Sequence, residues 1–145
     1  MVDIPHANYY EGILQLRNPS EELVEFVLTT VQDDERAVIT KIKEVKGGLD
    51  YYISSQKYLQ ILGKKIKKKF WGEYKLTSTL HTQDKMGNKL YRITILFRLY
   101  DFKQGDLVLV GGEEYVVEQL RNKVQVKHVK SHKKEWVNPE QITVL

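Results

Sequence analysis

The stretch Lys46-Gly-Gly-Leu-Asp-Tyr-Tyr-Ile-Ser-Ser-Gln-Lys-Tyr-Leu-Gln-Ile-Leu-Gly-Lys-Lys-Ile-Lys-Lys-Lys-Phe70 decides the fold. Its glycine pair at 47–48 predicts a tight turn, because a residue without a Cβ adopts positive φ at little cost. The alternation of residues 49–53 predicts a short strand behind that turn. Ser54 or Ser55 then predicts the start of a helix, since a serine hydroxyl accepts a hydrogen bond from a backbone N–H of the first helical turn.

The helix predicted after those serines is amphipathic. Apolar side chains recur at helical spacing and form the stripe that we expect to be buried: Leu59, Leu62, Ile66 and Phe70, with Tyr58 and Ile61 beside it. Five lysines occupy the last two turns: Lys64, Lys65, Lys67, Lys68 and Lys69. Burial of the stripe directs Lys64, Lys65 and Lys68 to solvent and leaves the other two at its margins. Lysines suit the C-terminal end of a helix dipole, but five of them exceed what a cap requires.

The residues before this stretch predict a strand, a helix and a second strand. Residues 9–17 alternate as a strand does. Ser20 is placed to cap a helix, and the buried stripe of that helix is Leu23, Phe26, Val27 and Val31. The acidic run at 33–35 is typical of a helix end, although its charge would also suit a cation. Residues 36–45 are rich in strand formers and are expected to pair with the strand at 49–53.

Residues 74–82 and 89–100 predict a long hairpin around a turn at 84–88. The order of elements so far is β-α-β-β-α-β-β. Its first six elements match a ferredoxin-like split βαβ layer, in which two helices cover one face of an antiparallel sheet. We expect an α+β domain over residues 9–100, preceded by a leader or linker at residues 1–8.

Five short strands separated by tight breaks are predicted after residue 103, near 105–110, 115–120, 123–129, 136–137 and 142–145. This pattern is typical of a small SH3-like β-barrel, which we assign to residues 103–145. The two domains are expected to have separate cores. The first core contains Leu23, Phe26, Leu59, Leu62, Ile66 and Ile95, and the second contains Leu107, Leu109, Val116, Val126 and Ile142.

The composition is that of a soluble globular protein with uneven charge. Of 145 residues, 41% are hydrophobic and 29% are charged, and the formal net charge is +4. Residues 1–56 hold 5 Lys/Arg and 10 Asp/Glu, whereas residues 57–145 hold 18 and 9. Such asymmetry commonly marks a surface that faces a polyanion, and the alternative is an ordinary solvated surface. The sequence predicts neither a membrane span nor a signal peptide, and the absence of cysteine fits a cytoplasmic protein.

Catalytic and metal-binding motifs are missing from the sequence. The four histidines (His6, His81, His128 and His132) show no H-E-x-x-H spacing. His128 and His132 are four residues apart, but on a strand and its turn, where they need not share a face. No nucleophile elbow, Walker A or dinucleotide-binding glycine motif occurs. We therefore predict no enzyme, no cofactor and no metal site.

Basic residues give the stronger functional signal. Between Gln119 and Lys134 there are six of them and no acidic residue: Arg121, Lys123, Lys127, Lys130, Lys133 and Lys134. With the five helix lysines, Arg92 and Arg98, they form the predicted RNA-binding set, because Lys and Arg contact phosphates. Trp71 either adds a stacking surface or belongs to the core, and we favour the core. A basic surface of this kind also suits an acidic protein or a membrane surface.

Several stretches resemble one known family, in the order in which that family has them. Residues 9–17 resemble its opening strand, and residues 43–58 resemble its hairpin that leads into a helix. Residues 75–81 and 88–95 resemble its long hairpin, and residues 105–108 resemble the start of its SH3-like part. The family is that of the ribosomal large-subunit export adaptors, the Nmd-three proteins.

The resemblance implies a non-catalytic factor that binds the large ribosomal subunit and its rRNA during late assembly, alongside other assembly factors. In eukaryotic relatives the family also connects the subunit to the nuclear export receptor. The family's N-terminal region carries four-cysteine zinc pairs, and this chain has no cysteine. The family's C-terminal export and localisation signals are also missing. Either the zinc-binding region has been removed from this chain or the protein is a natural short form. We expect an archaeal-type member that lacks that region, and we expect no membrane or DNA partner.

The leading hypothesis is a ribosome-associated protein that contacts large-subunit RNA through residues 64–69 and 121–134. The alternative is a protein-interaction adaptor whose SH3-like barrel binds an acidic or extended peptide. Salt dependence and competition by RNA separate the two hypotheses.

Overall fold

The chain consists of two compact units, Met1–Leu99 (unit 1) and Tyr100–Leu145 (unit 2), in a computed structural model that describes residues 4–83 and 85–145. Each unit has its own five-stranded sheet and its own apolar core. The first three residues of the predicted leader and Asp84 of the predicted hairpin turn lie outside the described residues.

Unit 1 is an α+β layer of two helices and one sheet. Its elements are β1 (Gly12–Arg17), α1 (Glu21–Gln32), β2 (Ile39–Val45), β3 (Gly48–Ile53), α2 (Gln56–Lys69), β4 (Gly72–Gln83) and β5 (Lys89–Leu99). The strand order is β2-β3-β1-β5-β4. The predicted α+β class is confirmed, but the expected antiparallel sheet is wrong in one pair, since β1 and β5 are parallel. The hairpin places its second strand beside β1 and leaves β4 at the edge of the sheet.

Serine caps and a glycine turn start the elements where the sequence predicts them. The Ser20 hydroxyl accepts a hydrogen bond from the Leu23 backbone N–H at 3.1 Å and begins α1. The Ser55 hydroxyl accepts one from the Tyr58 N–H at 3.1 Å and begins α2. Ser54 is buried and accepts from the Val38 N–H instead. The turn between β2 and β3 holds Gly47 at φ 80°, a conformation that favours glycine.

The core of unit 1 lies between the sheet and its two helices. Six of its largest buried side chains are Leu14, Leu16, Tyr51, Leu62, Ile95 and Phe97. All six residues predicted for this core belong to it, with Phe26 only partly buried. Gly63 allows α2 to approach the sheet closely, because a Cβ at this position would lie 2.9 Å from Ile95 Cδ1.

Unit 2 is a sheet of short strands. Its elements are β6 (Leu107–Val110), β7 (Glu113–Leu120), β8 (Val124–His128), β9 (Lys134–Val137), a 3₁₀ turn (Pro139–Gln141) and β10 (Ile142–Val144). The strand order is β10-β6-β7-β8-β9, so β9 and β10 are the two edges. Among the described residues no ladder joins these edges. The sheet is therefore not closed into a barrel, and the SH3-like description stays a prediction.

In two strands of unit 2, β6 and β7, the side chains that face the core are not the ones that were predicted. It contains Phe102, Val108, Tyr115, Val117, Val124, Val126 and Val137, with Ile142 packed against it. The prediction placed Leu107, Leu109 and Val116 inside, but Leu107 is exposed and the other two are only partly buried. Because side chains alternate along a strand, choosing the wrong starting residue assigns every side chain to the wrong face.

Candidate nucleic-acid interface

The five lysines at the end of α2 are all exposed. The buried side of this helix consists of Tyr58, Leu59, Leu62, Gly63 and Ile66. Lys64, Lys65 and Lys68 therefore point away from the sheet, as the helical period predicts. Among the described residues, no ion pair involves any of the five lysines. The helix thus presents a compact cluster of positive charge, which we call the α2 lysine cluster (Lys64, Lys65, Lys67, Lys68 and Lys69).

The two lysines at the margins of the cluster lie over aromatic rings. Lys67 Nζ is 5.1 Å from the centroid of the Tyr74 ring, and Lys69 Nζ is 4.7 Å from that of Phe26. A cation over a ring face is attracted by the ring quadrupole, so each of these two ammonium groups has an aromatic partner. Burial raises the pKa of the Tyr74 hydroxyl, which keeps the phenol beside Lys67 neutral.

Arg92 and Arg98 lie on the opposite face of the same sheet. Ile93, Ile95 and Phe97 alternate with them along β5 and are buried towards the helices. The arginines therefore project from the face that neither helix covers. We call it the open face; the register places on it Ile13, Gln15, Arg17, Lys41, Lys43, Asp50, Tyr52, Glu73, Lys75, Thr77, Thr79, Arg92, Thr94, Leu96 and Arg98.

Arg92 holds Tyr10 against the end of the open face. Its guanidinium carbon is 3.8 Å from the centroid of the Tyr10 ring. Its Nη1 donates to the Tyr10 hydroxyl at 3.0 Å, and its Nε donates to the Tyr10 carbonyl at 3.3 Å. Tyr10 in turn packs edge-on against Tyr52, with the ring centroids 4.8 Å apart. The charge of Arg92 thus lies beside an ordered pair of aromatic rings.

The basic residues of unit 2 follow strand β8. Arg121 and Lys123 lie in the turn before it, and Lys130 and Lys133 lie in the turn after it. Between them, Lys127 and Lys134 are direct partners across β8 and β9. The ladder therefore sets two like charges opposite each other, an arrangement that by itself destabilises a sheet.

His128 organises the turn that carries Lys130 and Lys133. Its Nδ1 accepts hydrogen bonds from the backbone N–H groups of Lys130 at 3.2 Å and Ser131 at 3.0 Å. Its backbone N–H donates to the Lys133 carbonyl at 2.8 Å. His132, at φ 61°, closes the turn through a bond from its backbone N–H to the His128 carbonyl. His128 therefore positions two lysines.

Two tryptophans are exposed, and the sequence placed only one of them near the candidate surface. Trp71 follows α2 and is 47% exposed, so the preference for a core position is wrong. Trp136 is 44% exposed and pairs with Gln125 across β8 and β9, next to the Lys127–Lys134 pair in the same ladder. The alternation of β9 would have revealed Trp136 if this strand had been predicted from Lys134 rather than from Trp136 itself.

The acidic run at the end of α1 is a helix end with an internal ion pair. Asp33 is the C-cap residue of α1. The Asp34 carboxylate accepts from the Arg36 backbone N–H at 2.8 Å and from its Nη2 at 2.7 Å. Hydrogen bonds from Arg36 lower the pKa of Asp34 to about 2. In the described part of the chain, no three His, Cys, Asp or Glu side chains are grouped to hold a metal ion.

Neither helix among residues 4–83 and 85–145 is long and apolar enough to cross a membrane.

Comparison with known proteins gives a family for the part of the chain that carries the α2 lysine cluster and the open face. No curated protein matches the sequence. The family model described as "NMD3, second domain" matches residues 9–99, which confirms the resemblance inferred from the sequence. That family is connected with ribosome biogenesis and export and is not a known enzyme family. Since the match spans nearly all of unit 1 and more than half of the chain, this protein belongs to the NMD3 family.

Proposed function

We propose that this protein is a non-catalytic factor that binds the large ribosomal subunit and its rRNA during late assembly. The observation that carries the proposal is the α2 lysine cluster, which lies inside the region that matches the NMD3 family. So dense a group of like charges is unfavourable without a partner, because each lysine repels its neighbours. RNA supplies that partner through its phosphates.

Lys64, Lys65 and Lys68 are the residues best placed to make these contacts. They are exposed, they share one side of a rigid helix, and no ion pair among the described residues occupies them. Lysine contacts to phosphate release condensed counterions, so they give affinity with little sequence preference. The α2 lysine cluster would therefore dock unit 1 on rRNA without choosing a sequence.

Unit 2 contributes a second set of contacts in this proposal. Lys127 and Lys134, which face each other across the ladder, would both contact one phosphate or two adjacent ones. Lys130 and Lys133 would add contacts from the turn held by His128. Trp136 lies close to them in the same ladder and offers a ring face to an unstacked base. Arg121 and Lys123 extend the basic residues to the other end of β8.

The finer description of the two units belongs to the same proposal. Unit 1 would be a ferredoxin-like domain extended by the β4–β5 hairpin, which is supported by the strand order β2-β3-β1 beside that hairpin. Unit 2 would be an SH3-like domain whose last strand, β10, returns to pair with its first, β6. We propose that both are domains of an archaeal-type, cytoplasmic member of the family.

A second function, peptide binding by unit 2, is supported by the exposed Trp136 near the Lys127–Lys134 pair. An exposed aromatic ring next to cations also suits an extended acidic peptide. The two functions differ in what displaces the ligand: free rRNA competes for the first and an acidic peptide competes for the second.

Co-sedimentation of the purified chain with purified large ribosomal subunits tests the proposal. We expect the chain to pellet with large subunits and not with small ones. For about six phosphate contacts, affinity should fall on the order of a thousandfold between ~50 and ~200 mM salt. Binding that stays constant over this range, or that an acidic peptide abolishes and rRNA does not, would contradict it.

A further inference from the structure

On the open face of unit 1, charged and neutral side chains occupy distinct positions, whereas the α2 lysine cluster consists of cations alone. One row of partners across the strands reads Lys41, Tyr52, Ile13, Thr94 and Thr77. The next row reads Lys43, Asp50, Gln15, Leu96 and Lys75. The third places Arg17 beside Arg98, with Glu73 opposite Arg98 at the edge. At the other end, Arg92 faces Thr79.

Positive charges outnumber negative charges on this face. Lys41 and Lys43 lie on the edge strand β2, and Lys75 lies on the opposite edge strand β4. Arg98 lies near the C-terminal end of β5, and Arg92 lies on the same face of this strand, closer to its N-terminal end. With Arg17, the five strands carry six cations on this face against two carboxylates, Asp50 and Glu73. One of these carboxylates is already neutralised, because Asp50 Oδ1 lies 2.8 Å from Arg17 Nη1.

The centre of the face carries neutral and apolar groups. Ile13, Leu96 and Thr94 form a partly exposed patch over β1 and β5. Tyr52 borders this patch on β3; its ring stands at 82° to that of Tyr10, and Lys41 Nζ lies 5.4 Å from its centroid. Five strands spaced about 4.8 Å apart make the sheet about 19 Å wide. A neutral centre with one aromatic ring and a cationic rim is suited to flat bases flanked by phosphates.

We propose that the open face binds single-stranded RNA, with a base stacked on Tyr52 and the phosphates along the rim of Lys41, Lys43, Lys75 and Arg98. This inference rests on the proposed function and adds the class of RNA that unit 1 recognises. Unpaired bases splay onto sheet faces and stack on aromatic side chains, whereas a duplex hides its bases and offers only phosphates and sugars. A duplex would leave the neutral centre without a partner.

An acidic protein segment is the less suitable occupant. Its carboxylates would find the rim cations, but its backbone would have to cover Ile13, Leu96 and Tyr52 without pairing to any strand edge. Bases cover such a surface with their faces and bury no unpaired backbone group. Only a chain that alternates phosphates with flat rings, as single-stranded RNA does, contacts both the charged rim and the apolar centre of this face.

Fluorescence anisotropy with the full chain and a labelled oligo(U) tests this inference, using a strand of about ten nucleotides, within the site size of single-strand-binding folds. Tyr52→Leu, which keeps an apolar group but removes the ring, should weaken binding by about fivefold to a hundredfold. Tyr52→Phe should restore most of that loss. Tyr91→Leu is the matched control, because Tyr91 is an exposed tyrosine of the same sheet on its other side and should have no effect.

A second variant removes rim charges without touching the centre. Lys43, Lys75 and Arg98 are exposed, so replacing all three by glutamine should leave the circular dichroism spectrum unchanged. This variant should bind oligo(U) more weakly and with a shallower salt dependence. If Tyr52→Leu does not fold, the triple variant decides, and parent-like affinity for oligo(U) would overturn the inference.

Competition experiments separate the inference from its alternatives. Equal binding of oligo(U) and of its duplex with oligo(A), equally reduced by Tyr52→Leu, would overturn it in favour of a general polyanion surface. Displacement of oligo(U) by poly-glutamate as readily as by unlabelled oligo(U) would overturn it in favour of an acidic-protein site.

Combining these results with co-sedimentation distinguishes a failure of the inference from a failure of the proposed function. If the chain pellets with large subunits but Tyr52→Leu leaves oligo(U) binding unchanged, the open-face inference fails and the proposed function stands. If oligo(U) binds through Tyr52 but the chain does not pellet with large subunits, the open face is a single-strand site and the proposed function fails.

Discussion

Arg17 and Asp50 form an ion pair between neighbouring strands of unit 1, with Arg17 Nη1 and Asp50 Oδ1 2.8 Å apart. Both side chains are largely shielded from water, with exposed fractions of 18% and 12%. The pair joins β1 to β3 on the open face and cancels the negative charge nearest its centre. It therefore has two effects: it stabilises the sheet, and it preserves the positive character of that face.

We expect Arg17→Gln and Asp50→Asn each to destabilise the protein by about 1–3 kcal/mol, because each leaves a shielded charge without its partner. The double variant should lose less than the sum of the two single losses, since it leaves no charge unpaired. Urea unfolding of the four proteins in this cycle measures the coupling. Additive losses would mean that the two charges do not interact in solution.

Helical periods made unit 1 largely predictable from its sequence. The spacing of Leu59, Leu62 and Ile66 fixes which side of α2 is buried, and that in turn exposes Lys64 and Lys68. The serine caps at Ser20 and Ser55 were predictable for a similar reason, because a cap depends on residues within one turn. The parallel pairing of β1 and β5 was not predictable, since it depends on which strand of the β4–β5 hairpin pairs with β1.

The face of a short strand is harder to predict than the face of a helix. All four residues of β6 are apolar: Leu107, Val108, Leu109 and Val110. The sequence of this strand therefore does not show whether its odd or its even residues face the core. Val108 is the one that is fully buried. The open face was missed for a related reason: Lys41, Lys43 and Lys75 are spread over three strand positions on opposite edges and share a face only through strand register.

The register of β6 makes a direct prediction about two adjacent residues. Val108→Ala should destabilise unit 2 by about 1–3 kcal/mol, because it removes methyl groups from a fully buried site. Leu107→Ala removes more atoms from a side chain that is 44% exposed and should change stability by less than about 0.5 kcal/mol. Chemical denaturation of the two variants measures the difference. A larger loss of stability for Leu107→Ala than for Val108→Ala would mean that Leu107, and not Val108, faces the core.

The Asp34–Arg36 pair predicts a pH effect at the end of α1. The pKa of Asp34 falls from 3.8 to about 2 because Arg36 donates hydrogen bonds to its carboxylate. Since the folded-state pKa is the lower one, the stabilisation is fully present above about pH 3.8 and is lost as the pH falls towards about 2. The difference in Tm between the parent and Asp34→Asn should therefore shrink over this interval. In an Arg36→Gln background the same comparison should show little pH dependence.

The last prediction separates the α2 lysine cluster from the general positive charge of the chain. Replacing Lys64, Lys65 and Lys68 by glutamine removes three charges but keeps good helix formers at exposed positions, so stability should change by less than about 1 kcal/mol. Binding to large subunits should weaken about tenfold or more at ~100 mM salt, because three phosphate contacts are lost. The matched control replaces Lys46, Lys57 and Lys85, which are also exposed and lie outside the cluster. Co-sedimentation with large subunits compares the two variants at equal net charge. Equal weakening by both would mean that subunits sense only the total charge of the protein, and parent-like binding by the first would leave the basic residues of unit 2 as the main RNA contacts.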